Sequence, residues 1–221
     1  MPKRAPERVM RVVLTRELIV HTAVDLVERE GAKALSMRAV GAELGVTAMA
    51  MYNHVPNKEA LVRGIAEYVM GTLDLPEPKP DGWRAGAREL AHAFRRTADE
   101  YPRCMALVVV NKTALPVGLR VIERALDLCA AAGLTGVEPV RVVRALMAYT
   151  LGSQLREAGL KRILREKEGD LTDELRHLEA AGFPHMAVHP AETAEHDPDA
   201  SFDFGLELFL SAVEMRARRA D

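Results

Sequence analysis

Residues 36–58 constrain the fold of this 221-residue chain more than any other stretch of its sequence. Ser36 can cap a short helix, because its hydroxyl can accept a hydrogen bond from a free amide of the first turn. The apolar side of this helix is formed at helical spacing by Ala39, Val40 and Leu44. Gly45 follows where the helix must stop, since glycine accepts the left-handed backbone conformation that reverses the chain. This order predicts a helix followed by a tight turn.

A second short helix is predicted after the turn, from Ala48 to His54. Thr47 can cap it, and Pro56 prevents it from continuing. Polar side chains gather at its end and at the start of the next helix: Tyr52, Asn53, His54 and Lys58. Helices paired around a glycine also occur in ordinary helical cores, so the spacing alone leaves that alternative open. The polar side chains favour a helix-turn-helix, whose second helix enters the major groove of DNA.

The run from Leu14 to Met70 resembles the DNA-binding domain of the TetR (tetracycline-repressor-like) transcriptional regulators. The matching segments are the amphipathic helix Thr15–Gly31, then ALSMRAVGAELGV, then MYNHVPNKEAL. The resemblance implies an all-α fold. It consists of an N-terminal three-helix helix-turn-helix DNA-binding domain and a larger helical domain for ligand binding and dimerisation.

The resemblance also assigns expected DNA contacts by motif position. Side chains expected at phosphates are Ser36, Tyr52, His54 and Lys58, helped by backbone amides at helix N-termini. Side chains expected to face the groove are Arg38, Thr47, Ala48, Met49, Ala50 and Asn53. Arg38 is the one that can form a forked pair of hydrogen bonds with a guanine edge. The side chains of Ala48, Met49 and Ala50 lack hydrogen-bonding groups, so they can read only thymine methyl groups or DNA shape.

The charge distribution agrees with a DNA partner. The formal net charge is −2, but residues 1–58 hold nine Lys and Arg against six Asp and Glu, while the remainder holds 21 against 26. Residues 1–14 form a basic arm that a polyanion would attract. A solvated tail without this role is the alternative for the arm.

Several functional classes are disfavoured. Cys104 and Cys129 lack a CxxC partner, which argues against a zinc site or disulfide framework. Among the histidines, His185 and His189 have helical metal-ligand spacing, but Pro184 and Pro190 flank them, so no metal is expected. Since no nucleophile–base pair or glycine-rich phosphate loop is evident, an enzyme and a cofactor are not expected.

The sequence also predicts a cytoplasmic protein without a membrane partner. The longest apolar run, Met105–Val110, is too short to span a bilayer. The basic N-terminus is not followed by a long apolar stretch and a cleavage site, so a signal peptide is not expected.

Prolines suggest the domain organisation. The helix that begins at Lys58 ends before three prolines in residues 75–80, where a helix cannot pass. The predicted regions are a basic arm (1–14), a DNA-binding domain (15–75), a Pro-rich linker (76–82) and a ligand-binding and dimerisation domain (83–221). Helices are expected in the last region near 82–101, 103–110, 116–132, 139–159, 172–181 and 201–218, with a loop over 182–200. A strand is the alternative for the valines at 108–110.

Two of these helices are expected to form a homodimer interface, Pro139–Gly159 and Ser201–Arg218. Each carries an apolar line at helical spacing: Val140, Val143, Met147, Leu151 and Leu155 on the first, Phe202, Leu206, Phe209 and Val213 on the second, with Leu208 and Ala212 alongside. Gly205 and Ala212 are small enough for another helix to approach. Ordinary core packing is the alternative, and the resembled family favours a symmetric four-helix interface.

The region after the linker resembles the tetracycline-repressor-type ligand-binding domain, through Trp83, the Tyr101–Pro102 pair, LMAYTLGSQLREAG and FDFGLELFLSAVE. This implies a cavity for a small inducer among the helices that start near 83, 103, 116 and 139. The expected lining residues are Trp83, Phe94, Met105, Leu107, Asn111, Met147 and Gln154, although each could be plain core. Residues 105–110 contain no histidine and Arg156 replaces an acidic residue, so the inducer is not expected to be a metal-bound tetracycline.

The sequence therefore predicts a repressor that a small-molecule inducer releases from double-stranded DNA at a palindromic operator. A ligand-independent DNA-binding protein and an activator remain alternatives. The inducer, the operator sequence and the target genes are not determined by the sequence, nor is any ordering of residues 182–200 on ligand binding.

Overall fold

The structure, a computed structural model, describes residues 13–75, 82–110, 116–166, 182–183 and 197–218. All regular structure in these residues is helical, as predicted. The helices are α1 (Arg16–Glu30), α2 (Met37–Glu43), α3 (Ala48–Tyr52), α4 (Lys58–Gly71), α5 (Trp83–Glu100), α6 (Pro102–Val110), α7 (Pro116–Ala131), α8 (Glu138–Glu166) and α9 (Pro198–Ala217), with a 3₁₀ turn at Ala32–Ala34.

The described residues divide into two compact units. The N-terminal unit takes its residues from 1–73 and 100–119, and the C-terminal unit takes the rest. This differs from the expected assignment of residues 83–221 to one domain, because α6 packs against α1 and α4 in the N-terminal unit.

The helices of the N-terminal unit begin where side chains cap them. Thr15 accepts a hydrogen bond from the amide of Leu18 at 3.1 Å, and Asn57 accepts one from the amide of Ala60 at 2.7 Å. Ser36 and Thr47 cap α2 and α3 as predicted. The unit's core is apolar, and several of its side chains are fully enclosed: Ile19, Ala23, Val27, Val40, Met51, Leu61, Ile65, Ala66 and Val69. Local capping therefore sets the helix starts, and burial of these side chains packs the helices together.

A glycine allows α1 and α4 to approach closely. A Cβ atom added at Gly64 would lie 2.6 Å from the Cγ2 atom of Val20. Because real Cβ contacts are longer than this, any larger residue at position 64 must push the two helices apart.

The C-terminal end of α1 and the N-terminal end of α6 satisfy each other's free backbone groups. The Glu28 carboxylate accepts hydrogen bonds from the amides of Arg103 at 3.3 Å and Cys104 at 2.7 Å. The Arg103 guanidinium donates to the carbonyl oxygens of Glu28 at 2.9 Å and Arg29 at 2.6 Å. Burial, with the nearby Glu28 carboxylate, raises the pKa of the Cys104 thiol. This reciprocal cap holds α6 in the N-terminal unit.

The C-terminal unit packs parts of α5 and α7 with α8 and α9. One core cluster contains Ala91, Phe202, Leu206 and Leu210, and another contains Cys129, Leu134, Val143 and Val213. The predicted interface residues Phe202, Leu206 and Val213 therefore lie inside their own unit. Gly205 is small for the same reason: a Cβ there would lie 2.2 Å from the Tyr149 hydroxyl oxygen of α8.

Several predicted helix ends shift. Residues 102–110 form α6, so the strand alternative is wrong. The second motif helix ends at Tyr52 rather than His54, because the amides of His54 and Val55 both turn back to the Met51 carbonyl. The last helix begins at Pro198, since Asp197 caps it through the amides of residues 199 and 200. The helix expected near 172–181 lies outside the described residues, as does most of the 182–200 loop.

Candidate nucleic-acid interface and ligand cavity

The turn between α2 and α3 is built on two glycines. Gly45 has a φ of 66°, in the left-handed region that glycine favours, as predicted. A Cβ at Gly41 would lie 3.0 Å from the Val46 carbonyl oxygen and 3.2 Å from the Met51 sulfur. The Val46 amide donates to the Gly41 carbonyl at 2.8 Å. These contacts fix the angle between the two motif helices.

The same packing fixes which side of α3 faces solvent. Met51 is fully buried, whereas Met49 is 75% exposed. Successive helical residues are turned by about 100°, so side chains two positions apart point in nearly opposite directions. Ala48 and Ala50 are half-buried, and Thr47 is exposed at the cap. The solvent face of α3 therefore presents Met49 beside small side chains.

Polar side chains surround this face. Tyr52, Asn53 and His54 are exposed around the end of α3. Arg38 on α2 and Lys58 at the start of α4 are also exposed, and neither forms an ion pair within the described residues. Free guanidinium and ammonium groups can contact phosphates or base edges without first breaking a salt bridge.

The hydroxyl groups of Ser36 and Thr47 can cap their helices and still donate a hydrogen bond to DNA. Their hydroxyl oxygens accept hydrogen bonds from the amides of Ala39 at 3.1 Å and Ala50 at 3.3 Å. Each hydroxyl keeps its hydrogen for donation to a phosphate oxygen. The expected contact set thus lies along α2, α3 and the start of α4, while residues 1–12 of the basic arm lie outside the described residues.

The C-terminal unit contains an apolar cavity of about 40 Å³. Its walls come from α5, α7, α8 and α9, and the lining residues are Trp83, Ala87, Leu90, Ala125, Leu128, Cys129, Val142, Val143, Leu146, Phe209, Leu210 and Val213. Burial raises the pKa of the Cys129 thiol to about 11, so this wall is uncharged at neutral pH. Sites for drug-sized ligands are roughly ten times larger.

Of the predicted ligand-lining residues, Trp83 lines this cavity. Phe94 and Gln154 are half-buried in the C-terminal unit, and Met147 is 39% exposed on α8. Met105 is buried and Leu107 half-buried in α6, within the N-terminal unit. Asn111 lies outside the described residues. The ligand-lining role of the whole set, Trp83 included, therefore stays a prediction.

A charged cluster that the sequence analysis missed lies inside the C-terminal unit. The side chains of Arg95 and Glu157 are 6% and 4% exposed, and their closest N–O distance is 3.1 Å. Arg95 also contacts Asp199 at 3.0 Å, and its guanidinium lies 4.6 Å from the centre of the Phe202 ring. Nearby in sequence, the Gln154 Nε2 atom is enclosed and has no hydrogen-bond partner among the residues that the structure describes. Such a donor costs free energy until an acceptor reaches it.

Two helices of this unit expose large apolar side chains. They are Val140, Met147 and Leu155 on α8, and Phe204, Leu208 and Met215 on α9. A groove of about 410 Å³ between α8 and α9 is lined by Glu138, Arg141, Val142, Ala145, Phe209, Ala212, Val213 and Arg216. Exposed apolar side chains concentrated on two packed helices indicate a protein-binding face.

The described residues contain no cluster of three or more His, Cys, Asp or Glu side chains placed to hold a metal ion. None of the described helices is long and apolar enough to cross a membrane.

Known proteins similar to the chain cover nearly all of it. Residues 19–65 match the sequence model of "Bacterial regulatory proteins, tetR family", and residues 75–217 match that of "Tetracyclin repressor-like, C-terminal domain". The HTH-type transcriptional repressor DrrR1 of Streptomyces coeruleorubidus is 31% identical over 96% of this chain and 82% of its own length. Tetracycline repressor protein class C of Escherichia coli is 27% identical, with 91% of each chain covered.

A solved structure with the same fold is that of the TetR family protein ActR from Streptomyces coelicolor in complex with (S)-DNPA. Its TM-score is 0.74 at 26% identity, and the match covers 93% of this chain and 100% of that one.

Proposed function

Because the chain belongs to the TetR family of bacterial regulatory proteins, we propose that it represses transcription from a palindromic DNA operator until a small-molecule inducer releases it. Family membership confirms the predicted class, a helix-turn-helix DNA-binding regulator that is not an enzyme. A bacterial regulator that acts on the chromosome works in the cytoplasm. Repression, the palindrome and the inducer are the proposed parts.

The observation that carries the DNA-binding site is the free face around α3. Met51 anchors α3 to α2, which leaves the opposite face turned to solvent, together with Arg38 and Lys58, which have no ion pair in the described part of the chain. In this arrangement Lys58 binds phosphate and sets overall affinity, whereas Arg38 reaches a guanine edge and sets sequence preference. Ser36, Tyr52 and His54 position the motif on the backbone, and Thr47, Ala48, Met49, Ala50 and Asn53 face the groove.

The apolar face on α8 and α9 supports a symmetric homodimer. The two exposed stripes would be covered if each pair of helices packed against the same pair in a second copy. A dimer presents two copies of the reading head, the DNA-binding helices α1–α4, so its operator has two matching half-sites at a fixed separation. The proposed interface uses the two predicted helices. On α9 it includes Leu208, as predicted, together with Phe204 and Met215, whereas Phe202, Leu206 and Val213 are buried in their own unit.

The enclosed donor of Gln154 supports ligand binding in the C-terminal unit. A ligand carbonyl that accepts from its Nε2 atom would remove the cost of the unpaired group. ActR, a relative with the same fold, is described in complex with (S)-DNPA. The inducer needs only unequal affinity for the DNA-binding and released conformations, typically about 1–3 kcal/mol of coupling.

The chain itself offers a route for this coupling. Helix α5 of the C-terminal unit leads through Tyr101 into α6, which the Glu28–Arg103 cap holds to α1 in the N-terminal unit. A displacement of the end of α5 is thus passed covalently to the reading head.

The small size of the Trp83 cavity favours a second candidate function, DNA binding that does not depend on a ligand.

The decisive experiment selects binding sites for the full-length protein from a random DNA library and then measures affinity by fluorescence anisotropy at several salt concentrations. Enrichment of a palindrome bound by a dimer is the expected result. Lys58→Ala should weaken all sequences about equally and flatten the salt slope by about one unit, whereas Arg38→Ala should cost about 1–3 kcal/mol on the selected site only. Arg96→Ala, an exposed cation of the C-terminal unit, is the matched control.

The assigned roles would be contradicted if Arg38→Ala abolished binding to all DNA. They would also be contradicted if Lys58→Ala removed only the sequence preference. A small-molecule screen for release of the selected site then tests the inducer. Gln154→Leu should reduce the response to a hit while leaving operator affinity unchanged. If no compound releases the DNA, ligand-independent binding becomes the better description.

A further inference from the structure

The reading head exposes one large side chain that is wholly apolar. Within α1–α4, the large apolar side chains left exposed are Met49 and Tyr52, both on α3. Tyr52 carries a hydroxyl that can bind phosphate, whereas Met49 has only a thioether and methylene groups. At 75% exposure Met49 adds little to the packing of its own unit.

The position of Met49 on α3 is fixed by its neighbours. Met51 is fully buried against α2, and Met49 projects from nearly the opposite side of the helix. On either side, Ala48 and Ala50 are half-buried and too short to reach beyond the Met49 side chain. The centre of the groove-facing surface is therefore a single flexible apolar side chain.

The major groove offers one apolar base feature, the C5 methyl group of thymine. Because the Met49 side chain has no hydrogen-bond donor and only a weakly accepting sulfur, this methyl group is the base feature that it is best suited to contact. We propose that Met49 is a specificity-determining residue that packs on the C5 methyl group of a thymine in each operator half-site. This inference rests on the proposed function and adds the chemical group that α3 reads.

The size of the effect follows from the area of one methyl group. Removing a methyl group from such a contact weakens binding about fourfold, and removing it from both half-sites of a palindrome weakens binding about fifteenfold. Met49 is suited to this contact because its unbranched, polarisable side chain adapts to the surface it meets.

The test uses the full-length protein and the site selected from the random library. In duplexes that are otherwise identical, each thymine is replaced in turn by deoxyuridine, which lacks only the methyl group, and affinity is measured by anisotropy. One thymine in each half-site should show the fourfold loss with the wild-type protein. With Met49→Ala, the same replacement should cost nothing. Leu119→Ala, which trims an exposed leucine on α7, should leave the uracil penalty unchanged.

A second set of duplexes separates the methyl group from the base that carries it. Cytosine at the sensitive position should bind more weakly than thymine, and 5-methylcytosine should regain about the fourfold loss due to the methyl group. If the selected site holds cytosine there and tightens only when methylated, the natural target is 5-methylcytosine, which overturns the thymine assignment.

The outcomes separate this inference from the proposed function. Two results would overturn the role of Met49 without affecting the proposed repressor function. One is a selected palindrome in which no thymine is sensitive to replacement by deoxyuridine. The other is a uracil penalty that persists in Met49→Ala. Failure to enrich any sequence overturns the proposed function, and the thymine contact with it.

Discussion

The two units place charge and apolar surface in opposite ways. The N-terminal unit has an apolar interior, and α1–α4 leave few large apolar side chains exposed. The C-terminal unit buries the charged pair Arg95 and Glu157 while α8 and α9 expose side chains such as Phe204 and Leu208. Helices α1–α4 therefore leave little apolar surface for a protein partner. The exposed apolar side chains of α8 and α9, in contrast, are typical of a surface that a second molecule covers.

The largest expected effect tests whether α9 needs a partner. Leu208→Asp places a charge on a side chain that is 58% exposed in the single chain. If two copies pack there, the loss is about 2 kcal/mol in each, or roughly a thousandfold in the dimer Kd. Sedimentation velocity over a range of concentrations measures this shift. Leu119→Asp, on a leucine that is 53% exposed on α7, is the matched control. Unchanged dimerisation would place the interface elsewhere.

A second experiment tests the buried charges of the C-terminal unit. Arg95→Met leaves the Glu157 carboxylate buried without its guanidinium, which should lower the free energy of unfolding by about 3 kcal/mol. Urea denaturation followed by the fluorescence of Trp83, the single tryptophan, reports on this unit. The same change at the adjacent exposed Arg96 should have little effect. A loss below about 1 kcal/mol for Arg95→Met would mean that the pair is not a determinant of stability.

The tight packing of the N-terminal unit is tested with two glycines of one helix. Gly64→Ala forces a methyl group against Val20 and should destabilise the protein by about 1–3 kcal/mol. Gly71→Ala meets open space at the end of α4 and should be neutral or slightly stabilising. Thermal and urea unfolding followed by circular dichroism give both values. Equal effects at the two positions would show that α1 and α4 are not in close contact.

The smallest effect concerns charges on the surface of the C-terminal unit. Arg88 and Arg84 hold the pKa of Glu207 below its ordinary value, so the ionised form stabilises the folded state. This contribution is complete above the ordinary glutamate pKa of about 4.3 and is lost as the pH falls through the lowered value. Glu207→Gln should therefore cost less than about 1 kcal/mol at pH 7 and nothing in stronger acid.

Unfolding measured by urea titration at several pH values checks this prediction. Glu123→Gln, at an exposed glutamate on α7, is the matched control for loss of a surface carboxylate. A cost of Glu207→Gln that persists in acid would mean that hydrogen bonding to the arginines, rather than charge, is responsible.

The sequence predicted the features that depend on neighbouring residues. The caps at Ser36 and Thr47 and the turn at Gly45 are confirmed, because each is decided within about four positions. The family resemblance, which was carried by short motifs, is confirmed for the same reason.

Features that depend on distant residues were missed. Glu28 and Arg103, which attach α6 to the N-terminal unit, and Arg95 and Glu157, which pair inside the other unit, are far apart in the chain. Three members of the predicted interface line on α9, Phe202, Leu206 and Val213, are instead buried in their own unit, because this helix carries apolar residues on more than one side. Periodicity alone does not tell which of these stripes, Phe202 and Leu206 or Phe204 and Leu208, meets the rest of the chain.

The reciprocal cap between Glu28 and Arg103 has a consequence for protein synthesis. A ribosome delivers α1–α4 first, then α5, which except for Glu100 belongs to the other unit, and only then α6. Until Arg103 and Cys104 have emerged, the Arg29 carbonyl oxygen lacks the hydrogen bond from the Arg103 guanidinium. The Glu28 carboxylate and the Val24 carbonyl likewise lack their contacts with Cys104. A fragment that ends after α4 would therefore lack the α6 contacts that cover this side of α1 in the full chain.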